Sequence, residues 1–127
     1  MADTVLTASA ERHHEAFEEL LSEVEEYNPE VDRDLLERAY RFACEAHEGQ
    51  QRRSGEDFVL HPIGVAKILA ELGSDESTLA AGLVHDVVED TPATIEEVRA
   101  EFGDDVATLV ESETFLTALK EPMRLAA

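Results

Sequence analysis

The chain is short of positive charge, of cysteine and of long apolar runs, and each shortage removes a class of protein. Ten lysines and arginines stand against thirty aspartates and glutamates, a net charge of −20. A nucleic-acid or anionic-membrane surface needs a basic face, so neither partner is expected. Lysine is the scarcer base: Lys67 and Lys120 are the two present, and arginine supplies the rest. That balance suits adaptation to salt or plain solubility equally well. The one cysteine, Cys44, has no mate for an internal disulfide, which fits a reducing cytoplasm. In its helical setting it reads as a small buried apolar residue. No apolar run approaches bilayer length, and Met1-Ala-Asp-Thr4 lacks the basic-then-apolar start of a signal peptide. Strand alternation, repeats and low-complexity tracts are missing too, so the expected fold is all-α.

What is present amounts to one soluble domain: 127 residues with 43% apolar content can bury a single core. Residues 1–10 are small and polar and are expected to fray. From Glu11 to Tyr27, Phe17, Leu20, Leu21 and Val24 recur at helical spacing until Asn28-Pro29 stops the run. His13 and His14 diverge by about 100° on such a helix, so they are read as solvated rather than as joint ligands. Asp32 or Asp34 caps a second helix ending near Glu48, with a broad face from Leu35, Leu36, Ala39, Tyr40, Phe42, Ala43 and Ala46. A polar loop over 50–60 follows. His61-Pro62 opens a third helix, closed by Gly73. Ser74 or Asp75 caps a fourth that runs to Thr91-Pro92. A fifth spans about Thr94 to Phe102, and a sixth starts at Asp104 after Gly103. The result is a bundle of about six helices.

The chemistry concentrates in Gly82-Leu-Val-His-Asp-Val-Val-Glu-Asp-Thr91. On a continuous helix His85 lies over Glu89, and Asp86 lies over Asp90. A neighbouring histidine and aspartate make a corner for a divalent cation, and the carboxylates one turn on can hold or deprotonate a water. A solvated acidic stripe is the bland alternative. Against it, Leu83, Val84, Val87 and Val88 imply burial, where carboxylates need partners. The spacing from His61 to His85 allows an antiparallel helical hairpin to bring them together, although a histidine before proline at a helix start is often only a cap. Arg52-Arg53-Ser54 is the densest positive charge in an acidic chain. It is either an anion site for phosphate oxygens or a solvated loop paired with surplus acids. Taken together, these parts point to hydrolysis of a phosphorylated small molecule.

Several runs, in order and with fitting gaps, carry a resemblance. They are Tyr27-Asn-Pro-Glu30, Arg38-Ala-Tyr-Arg-Phe-Ala-Cys-Glu-Ala-His-Glu-Gly-Gln50, Arg52-Arg-Ser-Gly-Glu56, His61-Pro62 and His85-Asp-Val-Val-Glu-Asp90. Over roughly residues 27–110 the chain resembles the N-terminal HD-type hydrolase domain of the RelA/SpoT homologues, enzymes that make or degrade guanosine tetraphosphate and pentaphosphate, (p)ppGpp. The resemblance implies an HD-domain bundle in which His61, His85 and Asp86 bind one manganese ion. Glu89 and Asp90 would position and activate water, Arg52 would contact guanine, and Arg53 and Ser54 would line the nucleotide pocket. The implied reaction removes the 3′-pyrophosphate of ppGpp or pppGpp, leaving GDP or GTP, in the cytoplasm. His47 also matches a family position and is read as structural.

Two departures stand out. Gly55-Glu56-Asp57-Phe58 replaces the family's Gly-Glu-Pro-Tyr, losing a hydroxyl. The tail over 111–127 diverges, and no aspartate follows Asp105 to serve as the family's fourth metal ligand. A C-terminally incomplete domain is therefore expected, with exposed apolar surface that could support a homo-oligomer. The alternatives are an impaired domain that acts by binding nucleotide or protein, and an HD phosphohydrolase acting on another nucleotide such as NADPH.

Overall fold

A computed structural model describes residues 2–47, 60–112 and 114–119, with side chains described from His13 onward and, after the loop, from His61. Seven helices follow in order: α1 Ala2–Tyr27, α2 Arg33–Ala46, α3 Leu60–Glu71, α4 Glu76–Val84, α5 Val87–Asp90, α6 Ile95–Phe102 and α7 Asp104–Glu111. A further helical stretch covers 114–119. No strand occurs among the described residues, and none of their helices is long and apolar enough to cross a membrane.

Short-range chemistry sets the boundaries. Asp32 caps α2 by accepting from the Leu35 amide at 3.1 Å, and Asp75 caps α4 by accepting from Thr78 at 2.9 Å. Thr94 does the same for α6. Each satisfies an amide that the first helical turn leaves without a partner. Gly73, at φ 73°, ends α3: its amide reaches the Ala70 carbonyl while Ser74 reaches back to Leu69. That pair of bonds needs a left-handed residue, which glycine supplies without a Cβ penalty.

α4 is the centre of the bundle and packs on α2, α3 and α7. Every residue from Leu79 to Val84 is buried, the mark of a helix surrounded on all sides. Each fully buried Leu or Val there contributes about 1.5–3 kcal/mol of transfer free energy, which fixes the helix end that carries His85. α1 packs along α3, helped by Lys67 Nζ donating to Glu19 at 2.8 Å, and Phe17 stacks on Tyr40 of α2 with centroids 4.3 Å apart.

The described backbone carries α1 back to Ala2, across residues expected to fray. One sequence expectation needs correction. The fourth helix does not run unbroken to Thr91; it stops at Val84 and resumes at Val87. Of the C-terminal end, where apolar surface was expected, Leu119 is buried and Phe115 and Leu116 pack partly buried against the core, while 120–127 lie outside the described residues.

Candidate metal centre

The interruption of α4 is where the site begins. His85 is 8% exposed, and its Nδ1 lies 2.6 Å from the Gly82 carbonyl oxygen. A carbonyl can only accept, so Nδ1 carries the hydrogen. In a regular helix that carbonyl would take the amide four residues on; the imidazole competes for it where α4 ends. The consequence is chemical. With Nδ1 donating, the Nε2 of a neutral ring presents a lone pair, and that atom faces Asp86 Oδ1 at 3.1 Å.

His61 completes the corner from the first turn of α3. Its Nε2 is 3.3 Å from the other oxygen, Asp86 Oδ2, and the two imidazole centroids are 5.6 Å apart at 57°. A Cβ at Gly82 would meet Leu69 Cδ1, the end of a side chain, at 2.8 Å, while Val65 Cγ1 at 3.8 Å and Ala66 Cα at 4.0 Å would stay in ordinary contact. α3 and α4 pack closely there, and their ends bring His61 and Asp86 into contact.

The charges agree with this geometry. Burial alone would pull the His85 imidazole down, but the Asp86 hydrogen bond and charge, the Gly82 carbonyl and Glu89 outweigh it and raise its affinity for a proton. Burial pushes Asp86 up; the bond and charge of His85, then the charges of His61 and His47, hold it below the usual carboxylate value. Facing lone pairs on Nε2 and a carboxylate need a positive charge between or beside them. A proton supplies it, and so does a cation. One potential ligand atom from each of His61, His85 and Asp86 lies within 4.8 Å of the others, the one such group among the described residues. Two imidazoles and a carboxylate, one ring oriented by a backbone carbonyl, suit a divalent transition ion. The residues fit the group.

Glu89 shares a cavity of about 210 Å³ with these three, lined also by Val65, Leu116 and Leu119. Glu89 and Asp90 are both exposed, against the burial expected of this run, because they sit on the outer side of the short α5; the Asp90 amide donates to the Asp86 carbonyl at 2.9 Å, and Asp90 is not among the lining residues. Arg52, Arg53 and Ser54 lie outside the described residues. His47, read as structural, is 3% exposed at the end of α2 and acts on Asp86 through its charge, so it belongs to the surroundings of the centre. Leu116 and Leu119 were not foreseen. Their spacing of three on a helical turn was the available signal, but nothing in sequence says which cavity such a turn covers.

A helical bundle with a histidine–aspartate corner defines the class, and comparison supplies the family. Residues 39–126 match the HD domain, and the chain belongs to that family. It is 49% identical over 104 residues to the bifunctional (p)ppGpp synthase/hydrolase SpoT of Escherichia coli, covering 82% of this chain and 15% of that protein. It is 46% identical over 94 residues to a GTP pyrophosphokinase of Myxococcus xanthus, covering 74% of this chain and 12% of that one. The solved structure of a metazoan orthologue of SpoT, described as hydrolysing ppGpp and playing a role in starvation responses, superposes with a TM-score of 0.53. It is 41% identical, and the match covers 57% of this chain and 43% of that one. The chain thus spans less than one sixth of the length of these two curated relatives.

Proposed function

We propose that this chain is a metal-dependent hydrolase domain that removes the 3′-pyrophosphate of guanosine tetraphosphate or pentaphosphate. The observation that carries the proposal is the placement of Asp86 between two imidazoles from different helices, 3.1 and 3.3 Å away, at the wall of a cavity that also holds Glu89. Similarity to relatives named for (p)ppGpp hydrolysis supports the substrate.

His61, His85 and Asp86 would hold one divalent cation, manganese by resemblance to the family. Such an ion, when bound, screens phosphate charge and lowers the pKa of water by several units. His85 is kept in the ligating tautomer by the Gly82 carbonyl. Glu89 and Asp90, on the same short helix, would orient the attacking water and accept its proton. Water adds to the phosphorus attached at the 3′ oxygen. That P–O bond breaks, and GDP or GTP leaves with its 3′ hydroxyl restored beside free pyrophosphate. Arg52 would contact guanine, and Arg53 and Ser54 the rest of the nucleotide. The reducing cytoplasm suits a chain with the single thiol of Cys44.

The test is chromatographic assay of ppGpp with and without Mn²⁺, alongside thermal denaturation. A bound ion at a hundred times its Kd stabilises the fold by about 2.7 kcal/mol. The proposal expects GDP and pyrophosphate in equal amounts, dependent on Mn²⁺ and lost in Asp86→Ala, with a metal-induced rise in Tm that the variant lacks. Nucleotide binding without turnover would refute it, and preferential turnover of NADPH would replace the substrate.

A further inference from the structure

The cavity beside the candidate centre is lined by two kinds of group: His61, His85, Asp86 and Glu89 are polar, and Val65, Leu116 and Leu119 are apolar. The two leucines come from the divergent tail, yet that segment is built, not draped. The Phe115 amide donates to Ser112 Oγ at 3.1 Å and the Leu116 amide to the Ser112 carbonyl at 3.0 Å, a capped helical start. Residues three apart share a helix face, so Leu116 and Leu119 look into the cavity together. Leu119 is only 4% exposed.

Size and polarity together restrict what can sit there. Pockets that enclose a drug-sized ligand run to about 300–1,000 Å³, whereas this one holds about 210 Å³. It admits part of a nucleotide. Charged phosphate oxygens placed against leucines would lose their hydration with nothing in return, so phosphate belongs beside the histidines. An uncharged ribose or base face loses little against leucine.

We propose that Leu116 and Leu119 are specificity-determining residues: they pack on the uncharged nucleoside face adjoining the scissile diphosphate and so aim its phosphorus at the His61–His85–Asp86 corner. This rests on the hydrolase proposal and deepens it. The apolar wall selects a phosphate ester that carries a nucleoside over a bare polyphosphate.

The two products of the proposed reaction separate the polar from the apolar lining groups without turnover. Calorimetric titration of the full chain in Mn²⁺ with GDP, and separately with pyrophosphate, compares the parent with Leu116→Asn and Leu116→Met. L116N should weaken GDP about tenfold and shift the GDP-to-pyrophosphate affinity ratio by at least about fivefold, while L116M stays within about threefold. Leu116→Ala carries the same expectation where L116N fails to fold by circular dichroism. Equal weakening of both ligands would reduce the leucines to core packing. Tightening of both would make the segment a plug. A parent that binds no GDP would also overturn the inference. A parent that binds GDP selectively yet leaves ppGpp intact would sink the hydrolase proposal and leave the wall standing.

Discussion

Gly82→Ala tests the link between helix packing and the site most directly. Alanine is favoured over glycine in a helix interior by about 1 kcal/mol, so propensity alone makes the variant more stable. The structure argues the other way. The new methyl would sit 2.8 Å from Leu69 Cδ1, where ordinary contact begins at 3.4 Å, so something must yield by more than half an ångström. Leu69 is 8% exposed and packed in the core, and overpacking of this kind costs about 1–3 kcal/mol. The net expectation is a loss of about 1 kcal/mol, or about 3–5 °C in Tm for a domain of this size. Any part of the strain relieved by parting α3 from α4 also lengthens the 3.3 Å approach of His61 to Asp86, so Mn²⁺ affinity should fall with Tm. Leu69→Ala alone leaves a cavity worth about 2–5 kcal/mol. Combined with G82A it makes room for the methyl, and the double variant should be more stable than the sum of the singles by at least about 1 kcal/mol. Thermal melts and manganese titration on the four proteins close the cycle. Additive singles, or a G82A protein that melts higher and binds Mn²⁺ as before, would show that the glycine does not set the helix approach.

Other perturbations probe the remaining parts. Asp86→Asn should weaken Mn²⁺ binding at least about a hundredfold, since changing partners that merely orient ligands already costs about 10–100-fold; calorimetry within threefold of the parent would refute its role. The same variant has a signed pH signature in the metal-free protein. The lowered Asp86 stabilises the fold fully above the ordinary carboxylate value of 3.8, and the raised His85 does so fully below the ordinary imidazole value of 6.5. The Tm penalty of D86N should therefore peak between those values, near pH 5, and shrink as pH rises through the elevated His85 value. A penalty that grew from pH 5 to 8.5 would contradict the pairing. Burial pushes the Cys44 thiol up to about 11 from 9.0, so its thiolate at pH 8 is about a hundredfold scarcer than in a free thiol and labelling by iodoacetamide should slow in proportion; labelling at the rate of free cysteine would refute it. Asp75→Ala removes the α4 cap and should cost about 1 kcal/mol, read as a lower denaturant midpoint with an unchanged slope.

Much of the fold was legible because its boundaries are written in local chemistry. Asn28-Pro29, Asp32, Gly73, Asp75, Thr94 and Gly103 each act on backbone groups within a few residues, and the elements end where these residues stand. What failed was the break at His85. It coincides with a side chain reaching a carbonyl three residues back, and a 3.6-residue period carries no trace of that contact. The apolar run from Leu83 to Val88 looks like uninterrupted helix by any count of spacing.

That break also explains why the centre was readable as a set of residues but not as a geometry. The expectation from a straight helix paired His85 with Glu89 and Asp86 with Asp90, two stacked couples on adjacent faces. In the folded chain Glu89 does act on the His85 charge and shares its cavity, but Asp86 turns to the two imidazoles and Asp90 is left exposed. One hydrogen bond to the Gly82 carbonyl accompanies the end of the helix, fixes which nitrogen of His85 faces Asp86, and sits on the glycine that faces Leu69 of α3. Sequence names Gly82, His61, His85 and Asp86 separately. Their dependence on one another exists only across a helix–helix contact, where the space left by one residue becomes the reach of another.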